Sequence, residues 1–324
     1  MAKSNIVKVN KNCKIIDFDI TTLPIKDVLS YSRIDCFKSC AYRYKIKYIE
    51  KNYTNDSSLA LRIGSILHLG MEFKYQNKFS NKEIIDIVHN GYIEDNGTEV
   101  IGLNKLKEDY PFDWEEEDNF GRTYDEKIKL YINRVNSPIE DEWECIGCEV
   151  EFHIVLDNRA VIKGFIDRID KHKNTGEIRV VDYKSSKKAY DKKDLATPMQ
   201  MFIYALACKE IYGEYPTQYV YDMILIGEMQ NAMTKGWEKR GFKTLLSKLD
   251  ALILHNETEN ILMKPSSTPL CYWCSYCANN PNATNGKDLC EYYSLWTPTE
   301  KTFRTNKQWI SPIEESDEWG DSWE

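Results

Sequence analysis

The sequence predicts an α/β protein in which a mixed sheet is flanked by helices, with a helical region before the sheet and a cysteine-bearing segment after it. Three observations carry this. Apolar residues recur at helical spacing in stretches from Ser30 to about residue 136. The period then changes to two across residues 148–185. A helix-like stretch and one more apolar run follow.

Taken in order, residues 1–29 hold one strand-like segment, KIIDFDI (14–20). SYSRIDCFKSCAYRYKIKYIE (30–50) opens on helix-capping residues and spaces Ile34, Phe37, Ala41, Tyr44 and Tyr48 at three and four, as a helix requires. A second helix is predicted at about 59–77, with weaker periodicity over 81–94 and 122–136. The acidic, Pro/Gly-marked YPFDWEEEDNFG (110–121) between them reads as loop. CEVEFHIVL (148–156), AVIKGFIDRID (160–170) and EIRVVDYKS (177–185) are rich in Val and Ile. Turn signals DN and NTG separate them, so they read as a three-stranded meander. A helix over 192–212, stopped by Gly213, leads to TQYVYDMILIG (217–227), an apolar run that fits a buried strand. A long helix is predicted at about 236–258.

The chain divides accordingly into an N-terminal segment (1–29), a main domain (30–295) and a C-terminal extension with an acidic tail (296–324). Within the main domain, 30–140 is the helical part, 141–260 the α/β core and 261–295 the cysteine segment. Net charge is −8, but EESDEWGDSWE (314–324) carries six acids and no base. Removing those charges leaves −2, so local basic patches decide whether a polyanion is bound. Two patches exist, KSCAYRYKIKY (38–48) with Arg43 and Lys45, and KSSKKAYDKK (184–193) with Lys187 and Lys188. No apolar run approaches a membrane span, and MAKSNIVKVNKN lacks the apolar stretch of a signal peptide. The expected location is the cytoplasm, where ten cysteines do not read as a disulfide framework.

The chemistry concentrates in GFIDRIDKHKNTGEIRVVDYKSSKK (164–188). Asp167 and Asp182 fall at corresponding positions of adjacent antiparallel strands, so their carboxylates come within several ångströms of each other. Two such carboxylates repel unless one protonates or a cation lies between them, and Mg²⁺ suits carboxylate oxygens. Lys184 follows Asp182 by two and faces the same side of the sheet, where it would orient or help deprotonate an attacking water.

Asp167 with Asp182-Tyr-Lys184 resembles the core of the PD-(D/E)XK nuclease superfamily, in its RecB-like branch. The resemblance extends over roughly residues 30–295 and implies a restriction-endonuclease-like core. Gly64 and His68 in GSILHLGME match the branch's Gly-x-x-x-His helix, which implies that His68 joins Asp167 and Asp182 around Mg²⁺ or Mn²⁺. Glu72, one turn on, is a further candidate. Gln200 and Tyr204, four apart on the next helix, match a pair implied to position DNA or the metal-bound water. Glu149 matches a commonly acidic position, with Glu151 as its rival on the same predicted face. The implied activity is hydrolysis of DNA, exonucleolytic at free ends, during recombination, repair or phage DNA processing. No G-x-x-x-x-G-K run is present, so any unwinding falls to a partner such as a helicase, with a recombinase or single-strand-binding protein as other candidates. The alternative is a catalytically silent DNA-binding scaffold. For a phage-encoded member, the location is the host cytoplasm.

Cys271, Cys274 and Cys277, followed by Cys290, form the strongest local metal signal, and four thiols suffice for a tetrahedral zinc site. AddB-type and CRISPR-associated relatives imply instead that an N-terminal cysteine joins three C-terminal ones around a [4Fe–4S] staple. Here that set is Cys40, Cys271, Cys274 and Cys290, with Cys277 as alternate and zinc as the competing metal. Cys13, Cys36, Cys145, Cys148 and Cys208 read as packing residues.

Overall fold

In the computed structural model the strands are β1 (Asn5–Val9), β2 (Val28–Leu29), β3 (Gly91–Ile93), β4 (Glu99–Ile101), β5 (Trp143–Leu156), β6 (Ala160–His172), β7 (Ile178–Lys184), β8 (Gln218–Met223) and β9 (Glu228–Asn231). The structure describes residues 5–9, 28–54, 58–94, 97–118, 120–156 and 160–232, isolated positions from 241 to 252, and residues 269–278, 280 and 289–291. β5, β6 and β7 form the expected antiparallel meander. The main sheet runs β1-β5-β6-β7-β8-β9, with β2 parallel to the early part of β6. β8 is parallel to β7 and β1 to β5, so the sheet is mixed. β3 and β4 make a separate small hairpin.

Helices cover both faces. They are α1 (Tyr31–Ser39), α2 (Ala41–Tyr44), α3 (Leu59–Gln76), α4 (Asn81–Asn90), α5 (Leu103–Asp109), α6 (Pro111–Glu115), α7 (Tyr124–Asn136), α8 (Lys192–Ala196) and α9 (Met199–Tyr212). One core packs α1 and α9 on Ile162, Ile178 and Val180; the other packs α3, α4, α5 and α7 on Val181, Tyr183 and Val220. The sheet therefore reads apolar on both faces. No helix of the described residues is long and apolar enough to cross a membrane.

Several boundaries differ from the sequence expectation. The 30–50 helix breaks at Cys40, which is extended (φ −159°, ψ 109°) and whose Sγ accepts from Arg43 N at 3.4 Å, restarting the chain as α2 and a π-turn over Lys45–Ile49. The helix expected over 192–212 is two, because Pro198 keeps the preceding Thr197 out of the helical region (φ −140°). The presumed loop 110–121 holds α6, started by Pro111 at its first turn. The 81–94 periodicity ends at Asn90, where Gly91 takes φ 80° and begins β3. KIIDFDI lies outside the described residues, as does most of the helix expected at 236–258, whose described positions between 241 and 252 are helical.

α3 and α7 approach closely at Gly70, where a methyl group would meet Tyr131 Oη and lie 2.6 Å from Val88 Cγ2. Tyr131 is fully buried, its hydroxyl donating to Leu67 O at 3.1 Å, so it has no room to retreat. Gly70→Ala should therefore destabilise the protein by roughly 1–3 kcal/mol through overpacking, read as a lower denaturation midpoint at unchanged slope.

Candidate active site

The site forms where neighbouring strands lose their pairing. β6 and β7 are paired as far as Arg168↔Val181, and the next step would set Asp167 opposite Asp182. Instead Tyr183 N donates to Asp167 Oδ2 at 2.7 Å, so the carboxylate itself replaces a backbone acceptor. On the other side, β5 and β6 pair at Cys148↔Arg168 and Val150↔Ile166 but not at Glu149 and Asp167, and Glu149 takes a left-handed φ of 47°. A left-handed non-glycine residue within a strand is a costly conformation that the surrounding ladder must hold. Glu149, Asp167 and Asp182 thus occupy one row across three strands.

α3 covers this row. A methyl group on Gly64 would lie 2.7 Å from Ser185 Oγ, so the glycine lets α3 close onto the chain just past β7. One turn on, His68 Nδ1 lies 3.5 Å from Asp167 Oδ2, and its ring packs edge-on against Tyr183. Gly64, His68, Glu72, Glu149 and Ser185 line one cleft of about 440 Å³. Glu151 is elsewhere, exposed and beside His153 at 3.6 Å, because the left-handed turn at Glu149 breaks the alternation that gave both acids one face.

α9 supplies the opposite wall. Lys184 Nζ lies 2.5 Å from Asp182 Oδ2 and donates to Gln200 Oε1 at 2.9 Å. Gln200 Nε2 donates to Tyr204 Oη at 2.8 Å, and Tyr204 Oη donates to Asp182 Oδ1 at 3.3 Å. These four side chains close a ring. Tyr204 is buried and its hydroxyl braces Asp182, while Gln200 bridges Lys184 to Tyr204. The pair thus also fixes Lys184 and Asp182 relative to each other.

Electrostatics define what the row will accept. Burial, and then the Asp182 carboxylate beside it, raises the Asp167 carboxyl well above the usual carboxylate range. Burial followed by Glu72 and Asp182 raises Glu149. Burial lowers His68, which stays neutral and keeps a lone pair to offer. Burial alone would lower Lys184 as well, but Asp182 overrides it and holds the ammonium above its ordinary value. In this arrangement Lys184 is a charge and a hydrogen-bond donor held against Asp182. The Lys184 ammonium sits at Asp182 and near Asp167, with Glu149 and Glu72 beside that pair, and all four acids are more than half buried. Beneath them Arg168, fully buried, pairs with Asp170 at 3.0 Å, donates to Tyr183 Oη at 3.0 Å and stacks 3.8 Å from the Tyr75 ring centroid.

A family model described as the PD-(D/E)XK nuclease superfamily matches residues 28–281. The chain belongs to that superfamily. No curated protein matches it. PD-(D/E)XK nucleases use divalent ions such as Mg²⁺ or Mn²⁺, and the donors present here fit one: clustered carboxylate oxygens, a neutral imidazole and too little local positive charge. Among the described residues, no three His, Cys, Asp or Glu side chains form a ready-made metal cage.

The remaining predicted residues lie outside the acid row. Cys40, Cys274 and Cys290 pack on one small cluster with Tyr42, Ile46 and Tyr276, while Cys277 is buried and Cys271 lies on the turn Pro269–Trp273. Burial raises the Cys274 thiol to about 11. Tyr42 Oη donates to Glu291 Oε1 at 2.8 Å and Tyr276 Oη to Asn52 O at 2.6 Å, so the N- and C-terminal parts are joined here by hydrogen bonds. Arg43 Nε donates to Cys36 Sγ at 3.4 Å, and Lys45 pairs with Glu50 at 3.3 Å. Lys187 stacks over Tyr124 at 5.3 Å, and Lys188 is exposed beside it in sequence. Cys145 and Cys148 touch at 3.4 Å between sulfurs, Cys208 is buried in the core, and Cys13 lies outside the described residues.

The sequence reading missed Arg168, Gln230 and the tyrosines around Lys184. Gln230 accepts from Tyr190 N at 2.9 Å and donates to Tyr190 O at 3.2 Å, clamping the loop after β7. Nothing in its local pattern distinguishes it from any polar edge-strand residue.

Asp167→Asn should stabilise the metal-free protein at neutral pH, because it removes a carboxyl group that the fold makes costly to ionise. The folded pKa is raised above its unfolded value. The penalty on wild type is therefore full above the folded value, and the gain should shrink as pH falls through it. Thermal melts of both proteins in EDTA across pH 4–8 measure this. Added Mn²⁺ should narrow the neutral-pH gap by binding wild type.

Proposed function

We propose that the protein hydrolyses phosphodiester bonds in DNA as a RecB-like, metal-dependent exonuclease acting on free ends during recombination, repair or phage DNA processing. The closed ring Asp182–Lys184–Gln200–Tyr204 carries this reading, since a mere binding scaffold has no need to orient a buried carboxylate and an ammonium together. His68, Asp167 and Asp182 would hold the divalent ion, with Glu149 and Glu72 beside them. A bound ion there would supply an activated water and a counter-charge for the phosphoryl group.

The chain's own residues then have distinct tasks. Lys184 directs two ammonium donors at Asp182 and Gln200 and keeps a third for the scissile phosphate. Gln200 and Tyr204 are positioning residues that fix Lys184 and Asp182 relative to each other. Lys187 and Lys188, just past the strand end, favour the path of the DNA backbone in a salt-sensitive manner. A helicase, recombinase or single-strand-binding protein would deliver the end. We further propose that the thiols of Cys40, Cys274 and Cys290, with Cys271 or Cys277, hold a [4Fe–4S] staple. Their shared cluster and the hydrogen bonds across it support this. Iron and acid-labile sulfide in the purified protein would carry the staple, whereas zinc alone would replace it.

Digestion of end-labelled linear DNA and of circular DNA with Mg²⁺ or Mn²⁺ tests the central reading. Wild type should degrade linear DNA and spare circles, Asp182→Asn should bind without cutting, and Gln200→Ala should lose about 10–100-fold. Cleavage of circles would replace the exonuclease by an endonuclease. Binding without cleavage under any condition would replace it by a scaffold.

A further inference from the structure

Lys184 lines a second cleft, distinct from the one lined by His68 and Glu149. It measures about 440 Å³, within the usual range for small-molecule sites, and Tyr31, Tyr190, Tyr221, Lys184 and Gln200 are among its lining residues. Tyr221 is the β8 residue aligned with Asp182, so an aromatic ring stands beside the acid in the sheet itself. Tyr190 and Tyr221 have ring centroids 4.8 Å apart, and the Lys184 ammonium lies 5.4 Å from the Tyr221 centroid.

The cleft's charge does not suit a phosphate. Lys38, Lys184 and Lys193 are nearly offset by Asp35 and Asp194, whereas three tyrosine rings offer stacking faces. Tyr31 and Tyr190 are half-buried, with ring surface still open to a ligand. The wall is also preorganised. The loop between β7 and α8 is irregular, yet Gln230 clamps it at Tyr190 through both backbone groups. A clamp applied at that residue holds its ring against Tyr221.

We propose that this cleft holds the unpaired base of the nucleotide adjoining the cleaved bond, stacked on Tyr190 and Tyr31, with the phosphate left over Lys184. The proposal rests on the nuclease reading above and narrows its substrate, since a base held in this way cannot be paired and the nucleotide in the site must be unpaired, as in a single-stranded or frayed end. Base stacking on an aromatic side chain is sequence-tolerant, so no preference for one base is expected.

The test is a cycle of protein and substrate changes. Single-stranded, end-labelled oligonucleotides with one abasic residue at successive positions are cleaved with Mg²⁺ by wild type, Tyr190→Ala, Tyr190→Phe and Gln230→Ala, with Asp182→Asn as control. Wild type should lose about tenfold in kcat/KM at the bond next to the abasic residue. Tyr190→Ala should lose about tenfold on intact substrate and less than twofold more on the abasic one, because both changes remove the same contact. Tyr190→Phe should restore activity, and Gln230→Ala should fall between. Independent losses that multiply, or uniform cleavage past the abasic residue, would overturn the base pocket while Asp182-dependent cleavage kept the nuclease reading. If wild type cuts no DNA, both readings fall together. Melting temperatures of the variants separate a lost contact from a lost fold, and a loss in Tyr190→Ala that tracks unfolding counts against the pocket.

Discussion

Like charge in a confined space is the constraint around which this molecule is arranged. Asp167 and Asp182 project from adjacent strands at the step where those strands stop pairing, and Glu149 completes the row from the far side. Such a cluster raises the cost of ionising each member, and Asp167 and Glu149 are both shifted upward. A sheet retains it only if other elements hold the acids in place and something positive compensates. Among the described residues, the Lys184 ammonium is held against Asp182, and one such charge does not balance four carboxylates.

Much of the surrounding fold follows from holding that row. α9 contributes the Gln200–Tyr204 pair that ties Lys184 to Asp182. α3 lies close because residue 64 has no side chain, and this brings His68 to Asp167. Below the row, Arg168, Asp170 and Arg179 form a buried charged layer, with Arg179 bonded to Asp170 at 2.7 and 3.0 Å. Buried ion pairs of this kind contribute little net stability but are costly to break, which suits a platform that must not yield under Tyr183. β9 extends the same logic outward, since Gln230 secures the loop that leaves the site.

Several of these features are legible in the sequence because they depend on simple periods. Alternation placed Asp182 and Lys184 together, strand register placed Asp167 opposite Asp182, and helical spacing of four placed Gln200 with Tyr204. The parts that depend on exceptions to a period are not legible. Glu149 and Glu151 looked equivalent because the left-handed turn at 149 has no glycine to announce it. β9 reads EMQN, with no β-branched or aromatic residue to mark a strand. The bridge from Gln200 to Lys184 depends on how α9 packs over β7, which a spacing of four does not specify. Pro198 was a visible helix breaker whose effect the strong flanking periodicity obscured.

Divalent-ion binding, measured directly, tests the claim that the acid row is a metal site. Titration of Mn²⁺ into metal-free protein, followed by calorimetry and by the loss of free-ion paramagnetic resonance, should show saturable binding at the row. Asp182→Asn should abolish it, and Glu151→Gln, outside the row, should leave it unchanged. Saturable binding that survives Asp182→Asn, or no binding to folded wild type, would contradict the account.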